Sequence, residues 1–357
     1  MYFSSAPARV CLYGEHQDYL QLRVIPAAIN LRINFTSYEG KKNMISVFSK
    51  DLNQSIKIPV KIQAMSSKNI NFRSYLEAGI LALKSHNSKM TVPSINVTIQ
   101  SDIPIASGLS SSAALLVAWI KHLCGITEIE INKEQLAELA YNAEHYLLGI
   151  PCGRMDQYSS SIGGIISLIC TEPPKLKKLP KPNFHLIVVD SKTPKLTSQV
   201  HGVKVKEIKR ITEFFEKETG ITLNESSMSI FNKFSKKFNE KEKKILAGVI
   251  SIKEDTEEAE KEIIKPNPDL DILGDLLISQ QIALRENLEV STPILDKIVD
   301  SGIVNGALGG KLTGAGLGGS VVLLTDQNND SIVDSLKTNF KLPVWSVEID
   351  EGAIFTS

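Results

Sequence analysis

Four stretches of this chain carry residue types that could do chemistry. Residues 104–114 read Pro-Ile-Ala-Ser-Gly-Leu-Ser-Ser-Ser-Ala-Ala, and an apolar run from Ala113 to Leu123 follows and predicts a buried helix. Glycine lets backbone approach a ligand closely, the serines offer hydroxyls, and a helix start presents unpaired N–H groups at the positive end of its dipole. Ala106, Ser107, Gly108, Leu109, Ser110, Ser111, Ser112 and Ala113 are therefore a candidate seat for a phosphate. A serine-capped helix start after a turn would use the same residues with no ligand. No Gly-Lys-Ser/Thr follows at the Walker spacing. The second stretch, 8–19, is Ala-Arg-Val-Cys-Leu-Tyr-Gly-Glu-His-Gln-Asp-Tyr. Glu15, His16 and Asp18 crowd three hydrogen-bonding groups beside a turn glycine. That suits a polyhydroxylated ligand, whose hydroxyls each need a partner once desolvated, or equally a polar surface turn. One histidine with two carboxylates is a thin ligand set for a metal.

In the third stretch Glu144 and Asp156 flank a Gly/Pro turn, Gly149-Ile150-Pro151-Cys152-Gly153. One carboxylate could hold a hard cation while the other takes a proton, although two acids twelve residues apart are commonplace. The fourth stretch, 309–319, has six glycines in eleven residues, which implies tight turns, either as a hinge or as backbone lying against something bound.

The elements that must position these groups follow from periodicity. Alternation predicts strands at 43–49, 55–61 and 94–100, and helical spacing predicts helices over 71–85, 113–123 and 133–147. Residues 173–182 hold four of the fifteen prolines, so this stretch is expected to be extended and poor in helix or sheet, with the domain boundary near it. A strand at 185–190 opens the second half. Three Lys/Glu-rich amphipathic segments follow at 203–218, 229–250 and 254–265, and a strand at 320–324 comes after the glycine run. The expected organisation is two domains, 1–180 and 181–357.

Composition narrows the function classes. Forty Lys+Arg balance forty Asp+Glu, which argues against a partner bound through a basic surface, whether nucleic acid or an acidic membrane. Four widely spaced cysteines without a C-x-x-C pair suggest reduced thiols. No signal-peptide pattern and no membrane-length apolar run is present, so a cytoplasmic location is expected. The sequence gives no oligomeric state.

The order of the four stretches, Gly-Glu-His-x-Asp-Tyr, Gly-Leu-Ser-Ser-Ser-Ala-Ala, Pro-Cys-Gly-x-Met-Asp-Gln and a late glycine run, resembles the GHMP small-molecule kinases, and within them the galactokinase branch. The likeness runs from Ala6 to the final strands and is weakest over 205–275. It implies a two-domain α+β fold: an N-terminal domain like the second domain of ribosomal protein S5, a C-terminal ferredoxin-like domain, and an active site in the cleft between them. It also implies ATP and Mg²⁺, and transfer of the γ-phosphate to the anomeric hydroxyl of galactose or a related aldose such as a uronic acid or amino sugar.

By the same resemblance Asp156 accepts or orients the hydroxyl proton and Arg9 sits beside it and neutralises developing charge. Glu15, His16, Asp18 and the Gly153 backbone join Arg9 and Asp156 as sugar ligands. Residues 106–113 wrap the triphosphate, Ser112 and Glu144 hold Mg²⁺, and Gly314–Gly319 closes over the reacting centre. Phe72 and Tyr75 resemble positions near the nucleotide, with core packing the favoured role for both, and packing is also favoured for His145.

The chain departs from the family pattern at Ala8, Cys11 and Leu20, and it has no tyrosine after Tyr158 to reach the sugar from the second domain, where His201 stands instead. Two further readings stay open. One is a mevalonate kinase-like activity, against which the Glu15/His16/Asp18 cluster speaks. The other is a sugar and ATP sensor without turnover, against which the retained Ser112, Ala113, Glu144 and Asp156 speak.

Overall fold

The computed structural model describes all residues except 42, 68, 194–197 and 327–329, and the side chains of 198–201. Two sheets organise the chain. The first is built on two long strands, β1 (Tyr2–Tyr13) and β2 (Arg23–Glu39), which run antiparallel; the loop joining them is 14–22. Next come β3 (Met44–Ser49), β4 (Gln54–Pro59) and β5 (Ile95–Ser101), with β3 parallel to β5 and antiparallel to β4. Strict alternation explains β5: Ile95, Val97 and Ile99 are buried while Asn96 and Gln100 face outward. Strands β6 (Ile165–Ile169) and β7 (Lys175–Leu179) extend the sheet from the loop end of β2.

The second sheet is four-stranded and antiparallel, in the order β11 (Val344–Val347), β8 (His185–Asp190), β10 (Ser320–Thr325), β9 (Gly309–Thr313). A last short strand, β12 (Ile354–Thr356), leaves this half and pairs with β1 through Phe3, Ser4 and Ser5.

Helices cover both sheets. Helix α1 (Phe72–His86) opens on Asn71, which shares a reciprocal capping box with Ser74. Helix α2 (Ser111–Ile126) is almost wholly buried, and its Trp119 gives the indole N–H to the Leu76 carbonyl at 2.9 Å. Helix α3 (Lys133–Asn142) runs into a wider π turn over Ala143–Leu147, and α4 (Met155–Ile162) follows a short loop. The second half contributes α5 (Ser198–Thr219), α6 (Met228–Phe234), α7 (Glu240–Ile263), α8 (Leu270–Ile282), α9 (Pro293–Val304) and α10 (Asp330–Phe340). Ala259, Ile263, Leu273 and Leu277 of α7 and α8 join the same apolar cluster as Leu12 and Ile25 beneath the first sheet, so one continuous core ties the halves together. Among the described residues no helix is long and apolar enough to cross a membrane.

The structure corrects two expectations. The proline-rich stretch 173–182 is not free of sheet: Lys175–Leu179 pairs along the whole of β6. Its prolines, at 173, 174, 180 and 182, flank the hydrogen-bonded residues and do not interrupt them. The amphipathic segments 229–250 and 254–265 divide elsewhere. The break falls at 235–239, where Asn239 and Glu242 form a capping box and start a new helix. Residues 251–253 run straight through α7, because Ile252 is buried and Lys253, also buried, pairs with Glu257 at 2.9 Å.

Candidate active site

A cleft of about 490 Å³ lies between the halves and collects most of the chemistry-bearing residues. Arg9, Glu15, His16, Asp18, Ala106, Gly108, Ser110, Ser111, Ser112, Gly153 and Asp156 line it, together with Gly314 and Ala315 from the glycine run.

Arg9 sits on β1 between two register irregularities, one at Pro7/Ala8 and one at Cys11/Tyr13. Such bulges re-aim side chains, and here the guanidinium turns into the cleft floor. Its Nε donates to Asp156 Oδ1 at 2.7 Å and its Nη1 to the Gly108 carbonyl at 2.7 Å. Burial alone would lower the Arg9 guanidinium, but the charges of Asp156 and Glu15 prevail and raise it. Asp156 lies in the first turn of α4, and its second oxygen accepts a 2.5 Å hydrogen bond from the Ser110 hydroxyl.

That bond shapes the serine-rich turn. Ser110 is the N-cap of α2 yet caps nothing, because its backbone is left-handed (φ 64°) and its hydroxyl is committed to Asp156. The first amides of α2 are thus left facing the cleft at the positive end of a sixteen-residue helix. The rest of the turn is strapped down: Ser320 Oγ donates to the Ser107 carbonyl at 2.7 Å and the Arg9 amide to the Leu109 carbonyl at 3.3 Å. Leu109 and Ala113 bury their side chains, and Ser107 turns its hydroxyl to the Pro104 carbonyl, so these three expected site residues support the turn from behind and do not line the cleft. Opposite, Gly314 has φ +90°, and a β-carbon there would stand 2.8 Å from the Gly108 carbonyl. The two glycine turns meet backbone to backbone, which no larger residue permits.

Behind Ser112 lies Glu144, carried by the π turn after α3, a distortion frequent at functional sites. Its carboxylate accepts from Gln157 Nε2 at 2.7 Å and is hydrogen-bonded to Ser112. Burial, with the Asp156 charge nearby, pushes Glu144 up to about 7 against the Ser112 hydrogen bond.

On the other wall His16, left-handed at φ 64°, shares a 2.8 Å hydrogen bond from Nδ1 with the Tyr19 hydroxyl. Asp18 faces Gly153 so closely that a β-carbon on Gly153 would lie 2.1 Å from Asp18 Oδ2. Burial and the Asp156 carboxylate push Asp18 up to about 6. His145 stacks on Tyr141 and holds the Cys152 carbonyl at 3.1 Å through Nδ1, so it braces the Pro151–Gly153 loop from behind. The side chain of His201 lies outside the described residues.

Sequence reasoning missed Lys311, whose ammonium reaches Glu15 from the second domain, and the tether from Ser110 to Asp156; neither long-range contact leaves a local pattern. Tyr19 was legible only as the last residue of its motif. An adjoining apolar groove of about 300 Å³, lined by Phe72, Tyr75, Ile105 and Leu115 among others, shares Ser111 and Ser112 with the cleft. Phe72 and Tyr75 do pack on the core, as expected, but each keeps one side on this groove.

Profiles of known families match along the chain: the GHMP kinases N-terminal domain over residues 74–164, the GHMP kinases C-terminal domain over 259–342, and the galactokinase galactose-binding signature over 2–36. The chain belongs to the GHMP kinases. This GHMP kinase is 27% identical to a galactokinase of Thermotoga petrophila, over 97% of both chains. It is 28% identical to a galactokinase of Thermococcus kodakarensis, over 90% of this chain and 88% of that one. Among solved structures, the Lactococcus lactis galactokinase complexed with galactose superposes with a TM-score of 0.85 at 21% identity, covering 99% of this chain and 94% of the other. The Methanococcus jannaschii mevalonate kinase gives 0.74 at 24% identity over 98% of each. These likenesses establish the two-domain GHMP kinase fold.

Proposed function

We propose that this GHMP kinase is an ATP-dependent sugar 1-kinase, transferring the γ-phosphoryl group of ATP to the anomeric hydroxyl of galactose or a closely related aldose. The observation that carries this reading is the Arg9–Asp156–Ser110 chain, which fixes a carboxylate beside the open amides of α2. The galactose-binding signature over 2–36, which contains Arg9, Glu15, His16 and Asp18, supports a sugar acceptor.

In this reading the triphosphate lies on the 106–113 turn, its charge met by α2 amides and helix dipole. The base occupies the apolar groove beside Tyr75. Glu15, His16, Asp18 and the Gly153 backbone hold sugar hydroxyls so that the anomeric one points to Asp156. Asp156 accepts that proton as the sugar oxygen attacks the γ-phosphorus; the bond to the β-phosphate oxygen breaks and ADP leaves. Arg9 stabilises the charge that builds between them. Since phosphoryl transfer asks for little covalent work from the protein, positioning and charge neutralisation supply most of the acceleration.

Ser112 and Glu144 fit Mg²⁺: they are adjacent hard oxygens, and a buried carboxylate pushed up to about 7 without a cation gains most from one. When bound, the ion would neutralise phosphate charge; Ser112 and Glu144 hold it and Gln157 orients Glu144. All four cysteines are free thiols, in keeping with a cytoplasmic setting. The division into 1–180 and 181–357 is proposed as the functional one, with β12 crossing back to the first sheet.

The test is ADP release over galactose, galacturonate, galactosamine, N-acetylgalactosamine, arabinose, fucose and mevalonate. Turnover with galactose or a near relative is expected. Turnover with mevalonate alone overturns the sugar assignment, and binding of sugar and ATP without ADP release makes the protein a sensor.

A further inference from the structure

We infer that Lys311 is a positioning residue for the acceptor, holding the Glu15 carboxylate in the orientation that receives a sugar hydroxyl. The inference rests on the sugar-site reading of Glu15 given above.

Along β9 the strand period puts Lys311 and Thr313 on one face, and both reach across to the first domain. Thr313 Oγ1 accepts the Cys11 amide at 2.9 Å, and Lys311 Nζ donates to Glu15 Oε2 at 3.1 Å and to the Leu312 carbonyl at 3.0 Å. The two charged side chains are 0% and 3% exposed. Glu15 forms part of the cleft wall, whereas Lys311 does not; the ammonium stands behind the carboxylate and touches no ligand space.

A buried ion pair adds little net stability, because desolvation offsets the attraction, and an apolar pair of the same volume would pack as well. What it does supply is a fixed direction for the acceptor lone pairs. Glu15 needs that, since it follows Gly14 at φ +90° and precedes His16 at φ 64°, on a turn with no regular structure of its own to orient it. Arg9 also lies near Glu15, but its guanidinium is already committed to Asp156 and Gly108. The second domain thereby sets the geometry of a substrate contact that belongs to the first.

The experiment measures galactose and ATP kinetics in Lys311→Met, Lys311→Arg, Glu15→Gln and the Glu15→Gln/Lys311→Met double variant. Losing a charge-assisted positioning contact should raise the galactose KM about 10- to 100-fold in K311M, with kcat and the ATP KM within about threefold of the parent. Lys311→Arg should recover most of the loss. In the E15Q background, K311M should leave the galactose KM unchanged, because the group it positions is gone. A K311M enzyme whose galactose and ATP KM rise together, or whose galactose KM stays at the parent value while E15Q raises it, overturns the inference and leaves the sugar reading standing. Absence of turnover with any sugar overturns both. If K311M does not fold, the neutral double variant compared with E15Q decides: a further rise in galactose KM beyond about threefold refutes the positioning role.

Discussion

On one wall of the cleft a single segment, 106–112, supplies almost everything offered to an anion, and most of it is backbone. The facing wall draws on Arg9 from β1, Glu15, His16 and Asp18 from the β1–β2 loop, Gly153 from the loop before α4, Asp156 from the first turn of α4, and Lys311 behind them from β9. A phosphate asks only for amides and a dipole, which any helix start provides. A polyol asks for several acceptors and donors at fixed angles, and those come only from elements that meet in the folded state. Side-chain changes on the second wall should cost more than those on the first, where the Gly108–Gly314 contact and the Ser110 and Ser112 hydroxyls are the exceptions.

Asp156→Ala is the strongest way to break this comparison. It removes the proposed proton acceptor and strands Arg9, and turnover should fall by about 10³-fold or more while ATP still binds, as read by titration calorimetry. Near-parental turnover would remove the proposed base. Glu144→Gln comes next: keeping shape but losing charge, it should raise the Mg²⁺ concentration for half-maximal rate by about tenfold, with galactose KM little changed. An unaltered metal dependence would refute that ligand.

Gly153→Ala sharpens the contrast, because its new methyl must displace Asp18 Oδ2 from 2.1 Å. Galactose KM should rise by about tenfold and ATP KM should not move; equal effects on both would mean the two walls are not separable.

The smallest effect concerns pH. Glu144 and Asp18 stand at about 7 and about 6 in the fold, above ordinary values of 4.5 and 3.8. At these two carboxyl groups the folded, ligand-free protein therefore binds protons more tightly than the unfolded chain does. The stabilisation from these groups is full below their ordinary values and is lost as pH rises through about 6 to 7. The melting midpoint should decline across that window, and Glu144→Gln should remove about 2–4 °C of the decline. Parallel curves for parent and variant would show that Glu144 carries no such shift.

The same division governs what the sequence reveals. The serine-rich turn and the helix after it are contiguous, so glycine, hydroxyls and an apolar run sufficed to place them. The strand His185–Asp190 and helix α1 were legible for the same local reason. Asp156 was a weak candidate from its place across the Gly/Pro turn from Glu144 and became specific only inside its motif, and Lys311 was not legible at all as a partner, because 296 residues separate it from Glu15. The outer strand at 175–179 was hidden by prolines that look disruptive until pairing shows them lying outside the ladder. The break at 235–239 depends on one asparagine cap amid Lys/Glu-rich sequence that is uniformly helical in composition.

The return of Ile354–Thr356 to β1 bears on how the molecule is made. Phe355 lies so close to Gly125 of α2 that a methyl group there would collide with its ring, and it also meets the His122 ring edge-on. A nascent chain that has not yet reached Phe355 leaves this flank of α2 uncovered and Phe3–Ser5 without an outer partner. During translation, then, the sheet bearing Arg9 stays open along Phe3–Ser5 until a segment some 350 residues later in the chain arrives to seal it.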